Sequence, residues 1–535
     1  MKKSLLLLLL LIAFNSFAQI TLEHTYTNSA VTRIKLENSG EKYYDLKRET
    51  NELIFYNSDH TLWKTIVLPA PLPNLFTSTN VFHVSEAKIN PDANLEIIFG
   101  YYNGASVSYE TKIISENGNT LLTIPNAYGA SLSEIDGLPD KLITENTINN
   151  VSSKVYSIPQ LTLENNYSDG NLKRIKLENS GEKYFLLNKA NSNAKIYNAN
   201  HSLWKTVSLP KPTTTTYTDI DFISETKINP DALLEIGYSY YETVGNSATY
   251  SSKIVNENNV ELLSVPNSSK LHISVFDGLA DKLIADIYNN YKYGTNIYTL
   301  PSLSLEKAYD SSVSRVILEN SGEKYYTSQN PSDNQVKIYN SDHTLWKTID
   351  LSTDNPFISN NVTTVSSISE SKINPDASIE VIYTYGTGLL IIGTEFSSRV
   401  INENGDILLD ADFVRNLQIN EINGLSNKII SYSGSGQWNT GGSVYSLNNL
   451  STSDFNKIDK VIMYPIPAKS FININSISAP IIEATVYNMN GALVKKEIAQ
   501  NITKIAVDKL PTGIYIVNLT DFNNQKSTHK ITVSH

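Results

Sequence analysis

Cysteine is missing from all 535 residues. That absence removes disulfides, thiolate metal sites and cysteine nucleophiles together, and leaves packed sheets as the source of stability. Positive charge is also short: 43 Lys and Arg face 54 Asp and Glu, for a net charge of −11. A nucleic-acid backbone calls for a basic face, so no nucleic-acid partner is expected. Methionine is scarce, at three residues, while tyrosine reaches 32. Tyrosine together with Ile, Val and Thr tilts the class toward all-β. Long apolar runs are lacking too. The one run of note, Leu5 to Phe14, falls short of the roughly 20 residues that span a bilayer.

That run sits between Lys2-Lys3 and the small-x-small site Ser16-Phe17-Ala18. Residues 1–18 therefore read as a signal peptide, cut before Gln19. The mature chain is expected to be secreted, to carry no transmembrane segment, and to have no cysteine for a lipid anchor. Catalytic signatures are wanting as well. There is no Ser-centred elbow, no helix-borne zinc pair and no unrepeated carboxylate dyad. The glycines at 431–446 lack a phosphate-loop lysine. No catalytic residue and no cofactor is expected.

What is abundant is repetition. KLENSGEKYY at 35–44 returns as KLENSGEKYF at 176–185 and ILENSGEKYY at 317–326. SDHTLWKTI at 58–66 returns as ANHSLWKTV at 199–207 and SDHTLWKTI at 341–349. The spacing, about 141 residues, is far longer than one supersecondary unit. Each long repeat divides into three related units. The second unit carries KINPDA (88–93, 227–232, 372–377) and the third carries DGLPDKLI, DGLADKLI or NGLSNKII (136–143, 277–284, 423–430). Each unit reads as four short strands in roughly 47 residues, the period of a propeller blade. Two-residue hairpin turns are expected at Asn117-Gly118 and Asn404-Gly405.

The ends of the array suggest closure. LTLENNY (161–167) and LSLEKAY (303–309) finish the first two repeats, but LSTSDFN (450–456) has Thr452 where they have Leu163 and Leu305. The alternating stretch appears instead at the other end, as ITLEHTY (20–26). A ring whose last blade is completed by this N-terminal strand accounts for both facts and hides the sheet edges. The expected fold is all-β: a large β-propeller-like repeat domain over 19–455, with three repeats and about nine blades, then a small β-sandwich. Nine exceeds the usual four to eight, so six larger blades or an open superhelix are the alternatives. The plan of acidic turn, apolar strand and KIYN-turn-LW resembles, in general outline, the blades of FG-GAP and quinoprotein-like propellers. That resemblance implies a fold and a tendency toward binding.

Three features are candidates for chemistry. His60, His201 and His343 recur beside Trp63, Trp204 and Trp346; repeated on symmetry-related units, they read as turn and packing residues rather than catalytic bases. Asn90, Asp92, Asn94 and Glu96 alternate as oxygen ligands do in a calcium loop. Leu233 breaks that pattern in the second copy, and Asx turns explain it without a metal. Trp438, within SYSGSGQWNTGGSVYS (431–446), stands outside the repeated motif and is a candidate for stacking on a glycan or anchoring a protein.

The tail is a different module. YPIPAKSFININ (464–475), VYNMNGALVKK (486–496) and LPTGIYIVNLTD (510–521) follow one another. Tyr464, Pro465, Pro467, Ala468, Asn488, Gly491, Leu510, Pro511, Gly513 and Tyr515, in that order, resemble the C-terminal sorting domain of the bacterial type IX secretion system. Ile466 stands where that family usually has Asn, and the chain ends HKITVSH without the usual final lysine. The prolines forbid helix and stiffen the linker, and Asn490-Gly491 reads as a hairpin turn. A β-sandwich over 464–535 behind a linker at 456–463 is expected. The resemblance implies passage across the outer membrane of a Bacteroidetes-type cell, with the type IX machinery as partner and the cell surface or medium as destination. The tail would be a recognition signal, commonly removed.

Three readings of the body follow. A binding or adhesion protein with a glycan or protein ligand is favoured by the Tyr-rich units. A polysaccharide-active hydrolase or lyase would gather acids and bases from several blades, and a structural surface component would show a uniformly polar face.

Overall fold

The computed structural model describes residues 20–534 apart from 28–29, 72–76, 93, 104–107, 128, 147–151, 232, 245–246, 330–333, 352–363, 375–377, 387–395, 434–440, 448–460, 466, 477–479, 489–491 and 523–525. The signal-peptide segment, the 456–463 linker up to 460, Trp438 and Gly491 thus lie outside the described residues. Every regular element described is a β-strand. The chain forms two compact units, Met1–Asn448 and Asn449–His535.

In the first unit the strands run as successive four-stranded antiparallel meanders, or blades, at 31–67, 77–125, 129–167, 172–208, 215–266, 268–309, 312–350 and 364–411. The seventh and eighth are joined through one pairing, Gln329 with Thr364. The last blade has three strands, Val414–Asn420, Lys428–Ser433 and Gly441–Leu447; its fourth is Ile20–Thr27 from the chain's start, paired antiparallel from Ile20↔Leu447 to Thr27↔Gly441. The body is a β-propeller closed by its N-terminal strand.

Burial explains the pattern of the strands. The second strand of the fourth blade, Gly181–Asn188, is buried at six consecutive residues, because a neighbouring blade covers each of its faces. Apolar clusters lie at the seams between blades. One, for example, joins Phe185 and Ile196 to Ile220 and Tyr238. The last-to-first seam has its own, with Val31 and Tyr43 against Ile430, Val444 and Tyr26. A blade alone could not hide these faces, so each folds against the next.

One local expectation is corrected. Asn117-Gly118 is not a two-residue turn. Ser115 pairs with Asn119, Gly118 donates to the Ser115 carbonyl at 2.9 Å, and only the glycine has positive φ (79°). This is a three-residue loop closed by a left-handed residue, and Gly405 repeats it, donating to Asn402.

The second unit is a sandwich of two sheets. Val461–Tyr464, Phe471–Ser476 and Lys504–Ala506 form one; Leu493–Ile498, Ile481–Asn488, Gly513–Asp521 and Lys526–Val533 form the other. Ile472, Ile474 and Ile505 meet Val486, Val517, Leu519 and Ile531 in a shared core.

Candidate functional site

The repeated histidines sit in the turns that Gly118 and Gly405 occupy elsewhere. His60, His201 and His343 have φ of 66°, 66° and 65°, a left-handed conformation that strains a side-chain-bearing residue. Each is held by the preceding blade. Nδ1 of His60 bonds the Tyr26 hydroxyl at 2.8 Å and Nε2 lies 3.4 Å from Glu23. His201 meets Tyr167 and Glu164, and His343 meets Tyr309 and Glu306, in the same geometry. Lys428, Lys141 and Lys282 complete the three ion pairs. These histidines are seam clasps. Trp63 lies between Lys42 and Lys64, with ammonium groups 4.9 and 4.6 Å from the ring, and Trp204 and Trp346 are flanked alike.

The KINPDA turn is an Asx structure. The Asp92 amide donates to Asn90 Oδ1 and the Asn94 amide to Asp92 Oδ1, each at 3.0 Å. Glu96 is fully buried; burial, then the neighbouring Asp92 charge, push its carboxyl up to about 8. Glu235 is pushed up to about 8 in the same way, beside Asp231. A calcium ion needs six to eight oxygens, with carboxylates ionised. Among the described residues no group of three or more His, Asp or Glu is placed to hold a metal.

The distinctive surface lies on the fifth and sixth blades. Tyr217, Tyr241 and Tyr250 stand directly opposite one another on Thr215–Ser224, Glu235–Val244 and Ser247–Asn256. Cross-strand neighbours share a sheet face, and their ring centres are 5.6 and 5.4 Å apart. Tyr250 then meets Tyr288 of the sixth blade edge-on at 5.5 Å. Tyr288 meets Tyr293 at 5.1 Å and Tyr291 at 6.5 Å. Asn267 sets the junction. In a left-handed conformation (φ 60°), its amide donates to the Tyr250 carbonyl at 2.9 Å and its carbonyl accepts from the Tyr288 amide at 2.7 Å. The six rings form one ribbon.

The ribbon is accessible. Tyr217, Tyr291 and Tyr293 are 46%, 86% and 49% exposed. Tyr291 is the tip of a two-residue hairpin between the paired Asn289 and Lys292, with φ of 50° at Asn290 and 64° at Tyr291. Such a turn usually has glycine at its second position. A cleft of about 680 Å³ adjoins the ribbon at Tyr217, lined also by Asp169, Lys173, Lys189 and Asp219. Lys189 Nζ sits 5.4 Å from the Tyr217 ring centre. A second cleft, of about 550 Å³, begins at Tyr293 and is lined also by His272, Asp286, Ser314 and Arg315. Burial pushes the His272 imidazole below its usual value.

Sequence reasoning named Trp438 as one candidate and used the Tyr-rich units only as a class, naming none of these tyrosines. The signal was a difference between repeats. Ser78 pairs with Tyr102 where Tyr217 pairs with Tyr241, and six residues after the repeated lysine come Thr147, Tyr288 and Gly434.

In the tail, Tyr515 is buried and its hydroxyl donates to the Pro511 carbonyl at 2.7 Å. Ala468 is tied to the last strand by its amide to Thr532 and by its carbonyl from Ser534. Tyr464, Pro465 and Pro467 are exposed. A Cβ on Gly513 would meet nothing closer than 3.7 Å, so packing does not demand glycine there.

No curated protein matches the chain. Among solved structures, the chain is similar to the Dos1 propeller (8% identity, TM-score 0.39, 80% of this chain and 95% of that one). It is also similar to BamB from Moraxella catarrhalis (8%, 0.35, 69% and 98%) and to the V. cholerae biofilm matrix protein Bap1 (10%, 0.27, 79% and 77%). The fold assignment itself stays with the strand pairing. No helix among the described residues is long and apolar enough to cross a membrane. Residues 462–534 match the family described as a secretion system C-terminal sorting domain, and this tail, read by the type IX secretion machinery, sends the chain to the cell surface or the extracellular space.

Proposed function

We propose that the chain is a binding protein that acts outside the cell, with the tyrosine ribbon of its fifth and sixth blades as the surface that contacts the ligand. One observation carries the reading: six tyrosines touch in series, three of them well exposed, and none belongs to the His–Tyr–Glu clasps. Tyrosine supplies large, rigid contact area with a polar tip at little entropic cost, and for that reason it gathers at recognition surfaces. A stripe of half-exposed rings is costly to leave bare unless something covers it.

The test is a glycan and protein array probed with the full-length secreted chain, beside a Tyr241→Ala/Tyr250→Ala double variant. Binding that the double variant loses, with its melting curve kept, supports the reading. Binding that survives in the variant rejects the ribbon as the contact surface.

A further inference from the structure

We infer that the ribbon and its two flanking clefts form one continuous track for a linear, uncharged polysaccharide. This rests on the binding reading above and narrows it to a ligand class. The first argument is extent. The ribbon leaves one cleft at Tyr217 and reaches the other at Tyr293, crossing two blades by ring-to-ring steps of 5.1 to 5.6 Å. A compact ligand would touch one portion of such a path; an extended chain touches all of it.

The second argument is chemistry. A pyranose has a face of C–H bonds, apolar and ring-sized, with hydroxyls around its edge. A tyrosine offers a flat face to the first and a phenol, both donor and acceptor, to the second. The clefts continue the match. Ser269, Ser312, Ser314, Ser328 and Gln329 line the second, and Ser168, Asn171, Asn188 and Thr218 the first. These short neutral groups suit hydroxyl partners.

The third argument is charge. In the first cleft Lys173 lies 3.6 Å from Asp219, and Asp169 is paired with Lys195. In the second, Arg315 is committed to Glu323 and to the carbonyls of Ser274 and Ala280. A polyanion would find no block of one sign to draw it in. Tyr291 adds a fourth point: it holds a strained turn while 86% exposed as a residue, with its ring touching Tyr288. Strain kept at a solvent-facing aromatic points to use.

The test is titration calorimetry on the full-length chain with dimers and hexamers of β-1,4-glucose, β-1,4-mannose, β-1,4-xylose and β-1,3-glucose. Hexagalacturonate and a flexible unstructured peptide are the controls. At least one neutral hexamer is expected to bind about tenfold or more tighter than its dimer, about 1.4 kcal/mol. Tyr217→Ala and Tyr288→Ala should each remove that gain, while Tyr109→Ala, in the second blade, should leave it. Tyr291→Gly should weaken hexamer binding and leave the melting temperature unchanged or slightly raised. No binding by any neutral oligomer, equal affinity for dimer and hexamer, or indifference to the tyrosine substitutions overturns the track. If hexagalacturonate or the peptide binds instead, and needs the same tyrosines, the neutral glycan is rejected but the binding reading stands. If a ligand binds and the tyrosine variants lose nothing, both fall.

Discussion

In the first repeat the hairpin end of the second blade sets Tyr102 against Tyr109, 4.6 Å apart, with Ser78 where the middle repeat has Tyr217. In the middle repeat the same positions, Tyr241 and Tyr250, lie within a ribbon of six. The seams of the two repeats do not differ in this way. Arg33 bonds Glu41 at 2.7 Å and the carbonyls of Asn420 and Ser426; Arg174 bonds Glu182 at 2.8 Å and the carbonyls of Ser133 and Pro139. Glu37 accepts from the Glu86 amide while Glu86 accepts from the Asn38 and Ser39 amides, and Glu178 and Glu225 exchange the same bonds. Where side chains interlock across a seam, one change strands a buried partner. Where they face solvent, the copies were free to diverge. Duplication thus separates the scaffold from the proposed binding surface inside one chain.

The largest effect should come from breaking the one seam that joins the chain's two ends. Removing residues 20–27 deletes a whole strand, exposes what Ile20 and Tyr26 cover at ~1.5–3 kcal/mol per buried side chain, and leaves His60 and Lys428 without Tyr26 and Glu23. The total is comparable with the ~5–15 kcal/mol by which a domain is stable. The trimmed chain is expected to lose its sharp melt and to be digested quickly under native conditions. A melt within a few degrees of the intact chain would mean that the ring does not depend on closure.

Next comes the buried guanidinium. Arg33, Arg174 and Arg315 have side chains at most 1% exposed. Replacing each by alanine takes the guanidinium from two carbonyls and from a carboxylate that keeps only its bond from Tyr43, Tyr184 or Tyr325, a loss of about 3–5 kcal/mol. Denaturant titrations should return three values that agree. A much smaller loss for Arg33→Ala would show that the closing seam is looser than the internal ones.

The sequence reveals most of this scaffold because the scaffold is what repeats. The strand borrowed from the N-terminus was legible from the missing Leu at Thr452, and the blade plan from the turns. The seam partners were not, since Tyr26 and His60, or Arg33 and Ser426, are brought together by ring geometry that no local pattern encodes. The ribbon was hidden for the opposite reason. Tyr217 fits an alternating strand as well as Ser78 does, so only the strand register reveals that the rings of the ribbon join.

A smaller effect, equal in both repeats, should follow pH. Glu96 and Glu235 have their carboxyls raised from 4.5 to about 8 by burial and by Asp92 and Asp231. A raised folded value means that the native state binds more protons across that window, so stability falls as pH climbs from about 4.5 to about 8. Glu86, Glu225 and Glu370 are held below the usual value; although burial opposes it, bonds from serine hydroxyls and backbone amides prevail. Their contribution is lost as pH falls below the usual carboxylate range. Stability should therefore peak in weak acid. Glu96→Gln and Glu235→Gln should each flatten the alkaline limb by on the order of 2–4 kcal/mol, measured as melting temperature against pH. A limb that keeps its slope in both variants would place the titrating group elsewhere.

The smallest effect sharpens the comparison most, because it sets two residues of similar backbone conformation against each other. His60 has φ 66° and Tyr291 has φ 64°. Glycine at either position removes a strain of about 1 kcal/mol and returns ~0.4–1 kcal/mol of that through the freer unfolded chain. At Tyr291 little else changes, since the residue is exposed and among the described rings meets only Tyr288. Tyr291→Gly should be neutral to slightly stabilising. His60→Gly gives up the 2.8 Å bond to Tyr26 and the ring contacts with His24 and Tyr43 at 4.9 and 4.7 Å, and should cost about 1–3 kcal/mol. Opposite signs in paired thermal melts would mark one ring as part of the clasp and the other as free for a ligand. If Tyr291→Gly destabilises the chain as much as His60→Gly does, the tyrosine belongs to the scaffold, and the ribbon loses its most exposed ring as a contact.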